Sequence, residues 1–151
     1  FIDDQLAIIA KGPNLVIHYP EDVLGKMDDW SKQQHKKTGL LDRVRQSTTT
    51  LIEAERATLD FISKYCEKKK CPLCGNTISH DKLFLKKYMP DLVDYLHYRL
   101  VDVSSFKEMI RRWYPNKYSK FKKMEMHLAL EDILESIDEM KYYKDNFFIP
   151  R

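Results

Sequence analysis

The feature that most constrains the fold of this chain is a turn that opens a helix, at residues 75–81. It follows a short extended run and begins with a glycine and an asparagine, which favour turns. In the helix, Asp81 shares a face with Phe84, Leu85 and Tyr88, which follow it by three, four and seven residues. We expect that face to be buried, and an ionised carboxylate sent inward needs a partner or a metal ion. The alternative is an acid in the first helical turn, stabilised by the helix dipole and half in water.

Extended and helical segments alternate along the chain. A capping box at Thr50 opens one clear helix, and Pro90 ends the helix that carries Asp81. Strands interleaved with helices indicate a mixed α/β sheet in one domain. Three strands are predicted: residues 6–10 together with 15–18, residues 71–75, and residues 99–103. The helix after the last strand is predicted to be capped by Ser105. The final helix is predicted to bury one stripe, formed by Leu130, Ile133, Leu134 and Ile137.

The composition limits the classes of function. The 151 residues carry 26 Lys and Arg against 23 Asp and Glu, a net charge of +3. That surplus is too small to indicate nucleic-acid binding by itself, so any phosphate binding must be local. No apolar run approaches the roughly 20 residues that cross a bilayer.

The chain has three cysteines, Cys66, Cys71 and Cys74. An odd number predicts reduced thiols in a reducing compartment. The spacing at residues 71–75 also matches half of a zinc knuckle. A structural zinc needs four ligands, and the sequence offers only Cys66 and His80 nearby, so we favour free thiols in a strand over a zinc site.

Two further stretches contain residues that suit catalysis or phosphate binding. His127 and Asp132 lie near the start of the final helix, and by periodicity alone Asp132 is a solvated acid. On a continuous helix their side chains would lie about 140° apart, so they meet only if His127 sits in the turn before the helix. Ser104 and Ser105 follow a strand at a helix N-terminus, where unpaired N–H groups suit a phosphate. Simple capping is the more frequent role of such a serine.

Aromatic residues that could stack on bases are Trp30 and the neighbours His97 and Tyr98. Such side chains belong more often to a core or an interface. Arg99, directly after them, would strengthen an anion site if its side chain turns toward the two serines.

Several short motifs occur along the chain in one order. They are Gly75-Asn76-Thr77-Ile78-x-x-Asp81, Phe84-Leu85-x-Lys87-Tyr88-Met89-Pro90, His97-Tyr98-Arg99, Asp102-Val103-Ser104, Arg111-Arg112-Trp113 and His127-x-Ala129-Leu130-x-Asp132-Ile133-x-Glu135-Ser136. Upstream of these stand Gly12-Pro13, Met27-x-Asp29-Trp30, His35, Thr38-Gly39-Leu40 and Ser47-Thr48. Together the motifs closely resemble the oligoribonucleases of the DEDDh exonuclease group, along the whole length of the chain.

The resemblance implies a ribonuclease-H-like exonuclease fold, with a mixed central sheet flanked by helices, over residues 1–151. It implies a homodimeric 3′-to-5′ exoribonuclease that degrades very short oligoribonucleotides, chiefly dinucleotides, to mononucleotides with two divalent cations, Mg²⁺ or Mn²⁺. No membrane partner is expected, and the expected compartment is the cytoplasm, or the mitochondrion in a eukaryotic source. The alternative is a non-catalytic nucleotide-binding module that has lost the metal site.

The resemblance also implies roles for individual residues. Asp81 and Asp132 would hold the metal ions, and His127 would act as the general base for the attacking water. Trp30 would stack on a base, and Tyr98 would reach in from a partner subunit. The other implied substrate-binding residues are His35, and, around the 5′ phosphate, Thr77, Ser104 and Ser105 with Arg99 of the partner subunit.

One departure from the family's pattern is large. The family's other two metal ligands form an Asp-x-Glu pair on the first, central strand, and residues 1–151 contain no such strand. Asp3-x-Gln5 lacks the glutamate, and it falls at the turn after the family's second strand. We therefore expect an N-terminally incomplete exonuclease domain that is inactive by itself.

Overall fold

The computed structural model describes residues 1–118, 121 and 129–148. The chain divides into two compact units, which we call the sheet unit (Phe1–Lys11 with Cys66–Arg151) and the helical unit (Gly12–Tyr65). The alternation of strands and helices confirms the mixed α/β class. Within the described residues, no helix combines the length and the apolar content that a membrane span requires. The elements in chain order are α1 (Glu21–Leu24), α2 (Asp29–Lys37), α3 (Leu40–Gln46), α4 (Leu51–Ile62), β1 (Leu73–Gly75), α5 (Ile78–Tyr88), α6 (Pro90–Tyr95), β2 (Leu100–Asp102), α7 (Val103–Trp113) and α8 (Ala129–Phe147).

In the helical unit, side chains cap the starts of two helices. Thr50 Oγ1 accepts the Glu53 N–H at 3.2 Å, and Glu53 Oε2 accepts the Thr50 N–H at 2.8 Å, which confirms the predicted capping box of α4. Asp28 Oδ1 accepts the Ser31 N–H at 2.9 Å at the start of α2. Hydrogen bonds from the hydroxyl and the N–H of Ser31 lower the pKa of the Asp28 carboxyl. These caps satisfy N–H groups that a helix leaves unpaired at its start.

In the sheet unit, β1 and β2 form a parallel pair in the part of the chain that the structure describes. Leu73 lies opposite Leu100, and Gly75 lies opposite Asp102. A parallel pair needs a long crossover, which α5 and α6 supply. Both strands end at the same edge of the sheet, so the register brings the start of α5 next to the start of α7.

The core of the sheet unit lies between α7 and α8. Val103, Ile110 and Tyr143 form its buried cluster, and Tyr143 is 0% exposed. The carboxylate of Glu139 is buried directly beside this cluster, with 1% of the residue exposed. Glu139 is therefore part of the buried interior of the sheet unit.

The predicted strand over residues 6–10 and 15–18 is wrong. Asp3 Oδ1 accepts two backbone N–H groups of the following residues at 2.8 Å each, and this closes a turn. An isolated antiparallel bridge then joins Ile2 to Ile8. The side-chain oxygen of Asp3 offers the backbone an alternative to a strand ladder, as short acidic residues often do.

The predicted cap at Ser105 is also wrong. Asp102 Oδ1 accepts the Ser104 N–H at 2.9 Å, so α7 begins at Val103 and Ser105 is an exposed residue of its first turn. An acid at the end of β2 is placed directly at the helix start, which makes it the better cap.

The predicted burial of the Asp81 face of α5 is wrong except at Leu85, which is half-buried. Asp81, Phe84 and Tyr88 are exposed, and 68% of Phe84 is accessible to solvent. The helix begins three residues before Asp81, at Ile78, which is 7% exposed and which determines the face that packs. The half-buried residues of that face follow at helical spacing and are Lys82, Leu85 and Met89.

The predicted buried stripe of the final helix is wrong in its first turn. Leu130 and Ile133 are 41% and 56% exposed, whereas Leu134 and Ile137 are half-buried. Contact with α7 turns a different set of residues of α8 inward, further along the helix.

Cys66 and Cys71 form a disulfide with a Cα–Cα distance of 6.1 Å, and Cys74 is free and exposed. The prediction of free thiols is therefore wrong for two of the three cysteines. The same bond occupies two of the four residues that the zinc alternative would use.

Next to this loop, Lys68 and Lys69 hold the pKa of the Asp94 carboxyl down at about 2.

We expect reduction of the disulfide to lower the free energy of unfolding by about 2 kcal/mol, since loop-closure entropy grows only slowly with loop length. The sequence separation of the two cysteines is 5, so the closed loop is short. Urea unfolding with and without a phosphine reductant measures the effect. Cys74→Ser is the control, because it removes the free thiol and keeps the bond, and equal midpoints in both conditions would contradict the prediction.

Gly75 ends β1 under the side chain of Ile78, and a Cβ built on it would lie 2.8 Å from Ile78 Cδ1. We expect Gly75→Ala to destabilise the protein by about 1 kcal/mol through overpacking. Ile78→Val removes that methyl group, so the penalty should largely disappear when the two substitutions are combined. Urea unfolding of the four proteins in this cycle tests the prediction, and strictly additive effects would argue against the contact.

Candidate active site

The candidate site lies at the edge of the sheet where β1 and β2 end. Thr77, the residue before α5, has a left-handed backbone with φ 52°. That conformation is unfavourable for a β-branched residue. Two acceptors hold it in place, because the Thr77 N–H donates to Asp102 Oδ1 at 3.0 Å and to Ser104 Oγ at 3.1 Å. The start of α5 is thus tied to the start of α7.

Asn76 connects this turn to the final helix. Its Nδ2 donates to Ser136 Oγ and to Glu139 Oε2, both at 3.0 Å. Its Oδ1 accepts the hydroxyl of Ser104 at 3.1 Å. Both ends of one amide are therefore used, and the first residues of α5 and α7 are held against α8.

The carboxylate of Glu139 has several partners inside the sheet unit. The Tyr143 hydroxyl donates to Glu139 Oε1 at 2.7 Å, and Lys107 Nζ lies 3.8 Å from the same oxygen. Burial, and then the hydrogen bond to Glu139, raises the pKa of the Tyr143 hydroxyl. A buried carboxylate needs such donors and a nearby positive charge to offset its desolvation.

The two acids with a predicted metal-binding role both lie in the first turn of a helix. Asp81 is in α5, Asp132 is in α8, and both are exposed. Ser136 Oγ donates to the backbone carbonyl of Asp132 at 2.8 Å and accepts from Asn76. One serine thus links the backbone of Asp132 to the turn that opens the helix of Asp81.

Carboxylate oxygens are the ligands that hard divalent cations prefer. The chemistry of Asp81 and Asp132 therefore fits such an ion. Among residues 1–118, 121 and 129–148, however, no three His, Cys, Asp or Glu side chains gather into a group that could hold a metal. His127, the predicted general base, lies outside the described residues.

The structure brings together part of the predicted phosphate site. Thr77 Oγ1 and Ser104 Oγ are 3.2 Å apart, and Ser105 follows on the exposed side of α7. Arg99 Nε donates to the Tyr98 hydroxyl at 3.1 Å, and both residues are exposed. The Tyr98–Arg99 pair therefore presents an aromatic ring and a guanidinium on the surface of the sheet unit.

The other two predicted substrate residues belong to the helical unit. Trp30 lies in the first turn of α2 and is 69% exposed. His35 is half-buried in the last turn of the same helix. An indole exposed to this degree has a free face for stacking.

Sequence reasoning assigned no role to the residues that hold this site together. Asp102, Asn76 and Ser136 occurred in the motifs without an assigned role. Glu139 and Tyr143 were not predicted to be functional. The one available signal was the spacing of Glu139 and Tyr143, which places an acid and an aromatic residue four positions apart on one helix face.

The sequence matches known proteins over nearly its whole length. The family model described as exonuclease matches residues 2–140. The oligoribonuclease of Haemophilus ducreyi is 49% identical over 145 residues, which cover 96% of this chain and 79% of that protein. The oligoribonuclease of Haemophilus influenzae strain PittGG is 50% identical over 145 residues, covering 96% of this chain and 80% of that protein. The oligoribonuclease of Acinetobacter baylyi is 47% identical over 147 residues, which cover 97% of this chain and 80% of that protein.

Proposed function

The chain belongs to the oligoribonucleases of the exonuclease family and has their ribonuclease-H-like fold, and on that premise we propose that it is a 3′-to-5′ exoribonuclease domain for very short RNAs. In this proposal residues 1–151 form one exonuclease domain, and the substrates are oligoribonucleotides as short as dinucleotides.

The observation that carries the proposal is the hydrogen bonding of Asn76. This amide holds the helix of Asp81 against the helix of Asp132, and it accepts the hydroxyl of Ser104, which in turn lies beside the Thr77 hydroxyl. The edge where parallel strands end is where open α/β sheets bind their ligands. Acids that suit a cation and hydroxyls that suit a phosphate are the groups that phosphodiester hydrolysis requires.

Asp81 and Asp132 are the residues that would hold the divalent cations, Mg²⁺ or Mn²⁺, together with ligands outside the described residues. A divalent cation in such a site activates a water molecule and stabilises the leaving oxygen of the phosphodiester. His127 would take the proton of that water, since an imidazole ordinarily titrates near neutral pH.

Two sets of residues would bind the substrate. Thr77, Ser104 and Ser105 would enclose the 5′ phosphate. In the helical unit, Trp30 would stack on a base and His35 would contact the substrate. In a homodimer, Tyr98 and Arg99 of the partner subunit would close the phosphate pocket. Their exposure on the sheet unit supports this proposal, and sedimentation of the protein at several concentrations tests for the dimer.

Hydrolysis of a 5′-phosphorylated dinucleotide with Mn²⁺, followed by chromatography of the mononucleotides, tests the function. We expect the 151-residue chain by itself to show little turnover, since it supplies two of the four carboxylates that the family resemblance implies. Robust turnover by this chain would contradict that expectation and still support the exonuclease. No turnover in the protein that carries this chain would contradict the function itself.

The second candidate is a nucleotide-binding module without hydrolysis. The observation that favours it is that, among the described residues, no three His, Cys, Asp or Glu side chains form a group that could hold a metal ion. Such a module would bind the dinucleotide with the same affinity whether or not Mn²⁺ is present.

A further inference from the structure

We propose that the buried Glu139 is a positioning residue for the phosphate pocket, because it determines the orientation of the Asn76 amide and thereby keeps Thr77 and Ser104 together. The inference rests on the proposed function and deepens it, since it explains how the same site would recognise a 5′ phosphate.

The first step is the direction in which the Asn76 amide points. Glu139 Oε2, 3.0 Å away, is a carboxylate oxygen that accepts hydrogen bonds. Ser136 Oγ, also 3.0 Å away, has already donated its proton to the carbonyl of Asp132 at 2.8 Å. Both neighbours therefore need a donor, so the nitrogen of the amide must face α8 and its oxygen must face Ser104.

The second step is the effect of this orientation on Ser104. The amide oxygen takes the proton of the Ser104 hydroxyl at 3.1 Å, and this turns the lone pairs of that hydroxyl toward Thr77. There they accept the Thr77 N–H at 3.1 Å and meet Thr77 Oγ1 at 3.2 Å. The orientation of the half-buried Asn76 amide thus determines the arrangement of two hydroxyls in the proposed pocket.

The third step concerns the choice of a carboxylate in a core position. A buried ionised group contributes little net stability, and an apolar side chain of similar size often serves a core as well. What Glu139 offers here is a carboxylate, which has two acceptor oxygens and no N–H group that could turn toward Asn76. Lys107 and Tyr143 offset its burial without occupying Oε2, the oxygen that faces Asn76.

The test exchanges the acid and the amide. Asn76→Asp places a second carboxylate against Glu139 and should abolish the orientation. Adding Glu139→Gln supplies an amide nitrogen that can donate to the new carboxylate, which can still accept from Ser104, so the double variant should regain it. Asp138→Asn, at an exposed position one residue before Glu139, is the matched control.

The readout is the binding of the 3′–5′-linked dinucleotide adenylyl-adenosine, with and without a 5′ phosphate, measured by equilibrium dialysis without metal. We expect the wild-type chain to prefer the phosphorylated form by about tenfold or more, as hydrogen bonds to a charged group usually allow. Asn76→Asp should lose that preference, while the double variant and Asp138→Asn should keep most of it. Circular dichroism verifies that each variant is folded.

Three results would overturn the inference: a wild-type chain without the preference, an Asn76→Asp variant that keeps it, or a folded double variant that does not regain it. If Asn76→Asp does not fold, the double variant tests the inference, because it should fold and should prefer the 5′-phosphorylated dinucleotide. The function is judged separately by hydrolysis. If the chain prefers the 5′-phosphorylated dinucleotide but the protein does not hydrolyse it, the proposed function is contradicted and the role of Glu139 is not.

Discussion

Asp81→Ala and Asp132→Ala should each lower kcat/KM on a 5′-phosphorylated dinucleotide by about a thousandfold or more, measured on the protein that carries this chain. Each substitution removes a carboxylate that the proposed function assigns to the cations. A neutral methyl group cannot replace a hard oxygen ligand, so the activated water and the stabilised leaving oxygen are lost together. Initial rates with Mg²⁺ and with Mn²⁺ measure the effect.

The folded state should change little in either variant. Both acids are exposed in the first turn of a helix, where an acid stabilises the helix dipole by about 0.5 kcal/mol. Asp91→Ala is the matched control, because Asp91 is an exposed acid in the first turn of α6. It should lose the same small amount of stability and none of the hydrolysis.

The same variants separate the enzyme from the non-catalytic module. In the enzyme, Asp81→Ala should weaken Mn²⁺ binding, measured by titration calorimetry, and leave metal-free dinucleotide binding close to wild type. If the protein is instead a non-catalytic module, neither the wild type nor Asp81→Ala hydrolyses the dinucleotide, and Mn²⁺ does not change the dinucleotide affinity of either. Full hydrolytic activity in Asp81→Ala would exclude Asp81 as a metal ligand.

Several local signals in the sequence predicted the local structure correctly, although the cap at Ser105 and the strand over residues 6–10 and 15–18 were wrong. The capping box at Thr50, the short strands within 71–75 and 99–103, and the end of α5 before Pro90 were all found as predicted. Each of these depends on residues within a few positions of one another, so a pattern along the chain contains the information.

Burial could not be predicted in the same way, because packing partners far along the chain decide it. Ile78, at the start of α5, turns the face with Phe84 outward, although that face has a regular apolar spacing. Contact with Ile110 turns Tyr143 inward and leaves Leu130 exposed. Periodicity finds a face, and only the tertiary structure shows what covers it.

The candidate site shows the same division. Asp81, Asp132, Thr77 and Ser104 came from motifs that could be compared with a family. Glu139, which is hydrogen bonded to Asn76, lies 63 positions away along the chain. No short pattern connects two such residues, and an acid in the middle of a helix normally indicates a solvated face.

Tyr143→Ala should lower the free energy of unfolding by about 4 kcal/mol, the usual loss when a buried aromatic ring is deleted. Tyr143 is 0% exposed, packs with Val103 and Ile110, and has its ring centroid 6.4 Å from that of Phe147. Tyr143→Phe keeps this packing and removes only the donor to Glu139, so we expect a loss of about 2 kcal/mol. Urea unfolding measures both variants, and the exposed Tyr88→Phe serves as the control.

The dependence on pH separates the hydroxyl from the ring. The pKa of Tyr143 is raised in the folded protein, so the folded state holds its proton at a pH where the unfolded chain has released it. Stability from this group is fully present below a pH of about 10, the ordinary pKa of tyrosine, and is lost as the pH rises above it. Tyr143→Phe has no such proton, so its midpoint of unfolding should fall less between neutral and alkaline pH than that of the wild type. An equal fall in both proteins would show that the hydroxyl is not held by Glu139, and would remove one of the groups that we invoke to offset the burial of that carboxylate.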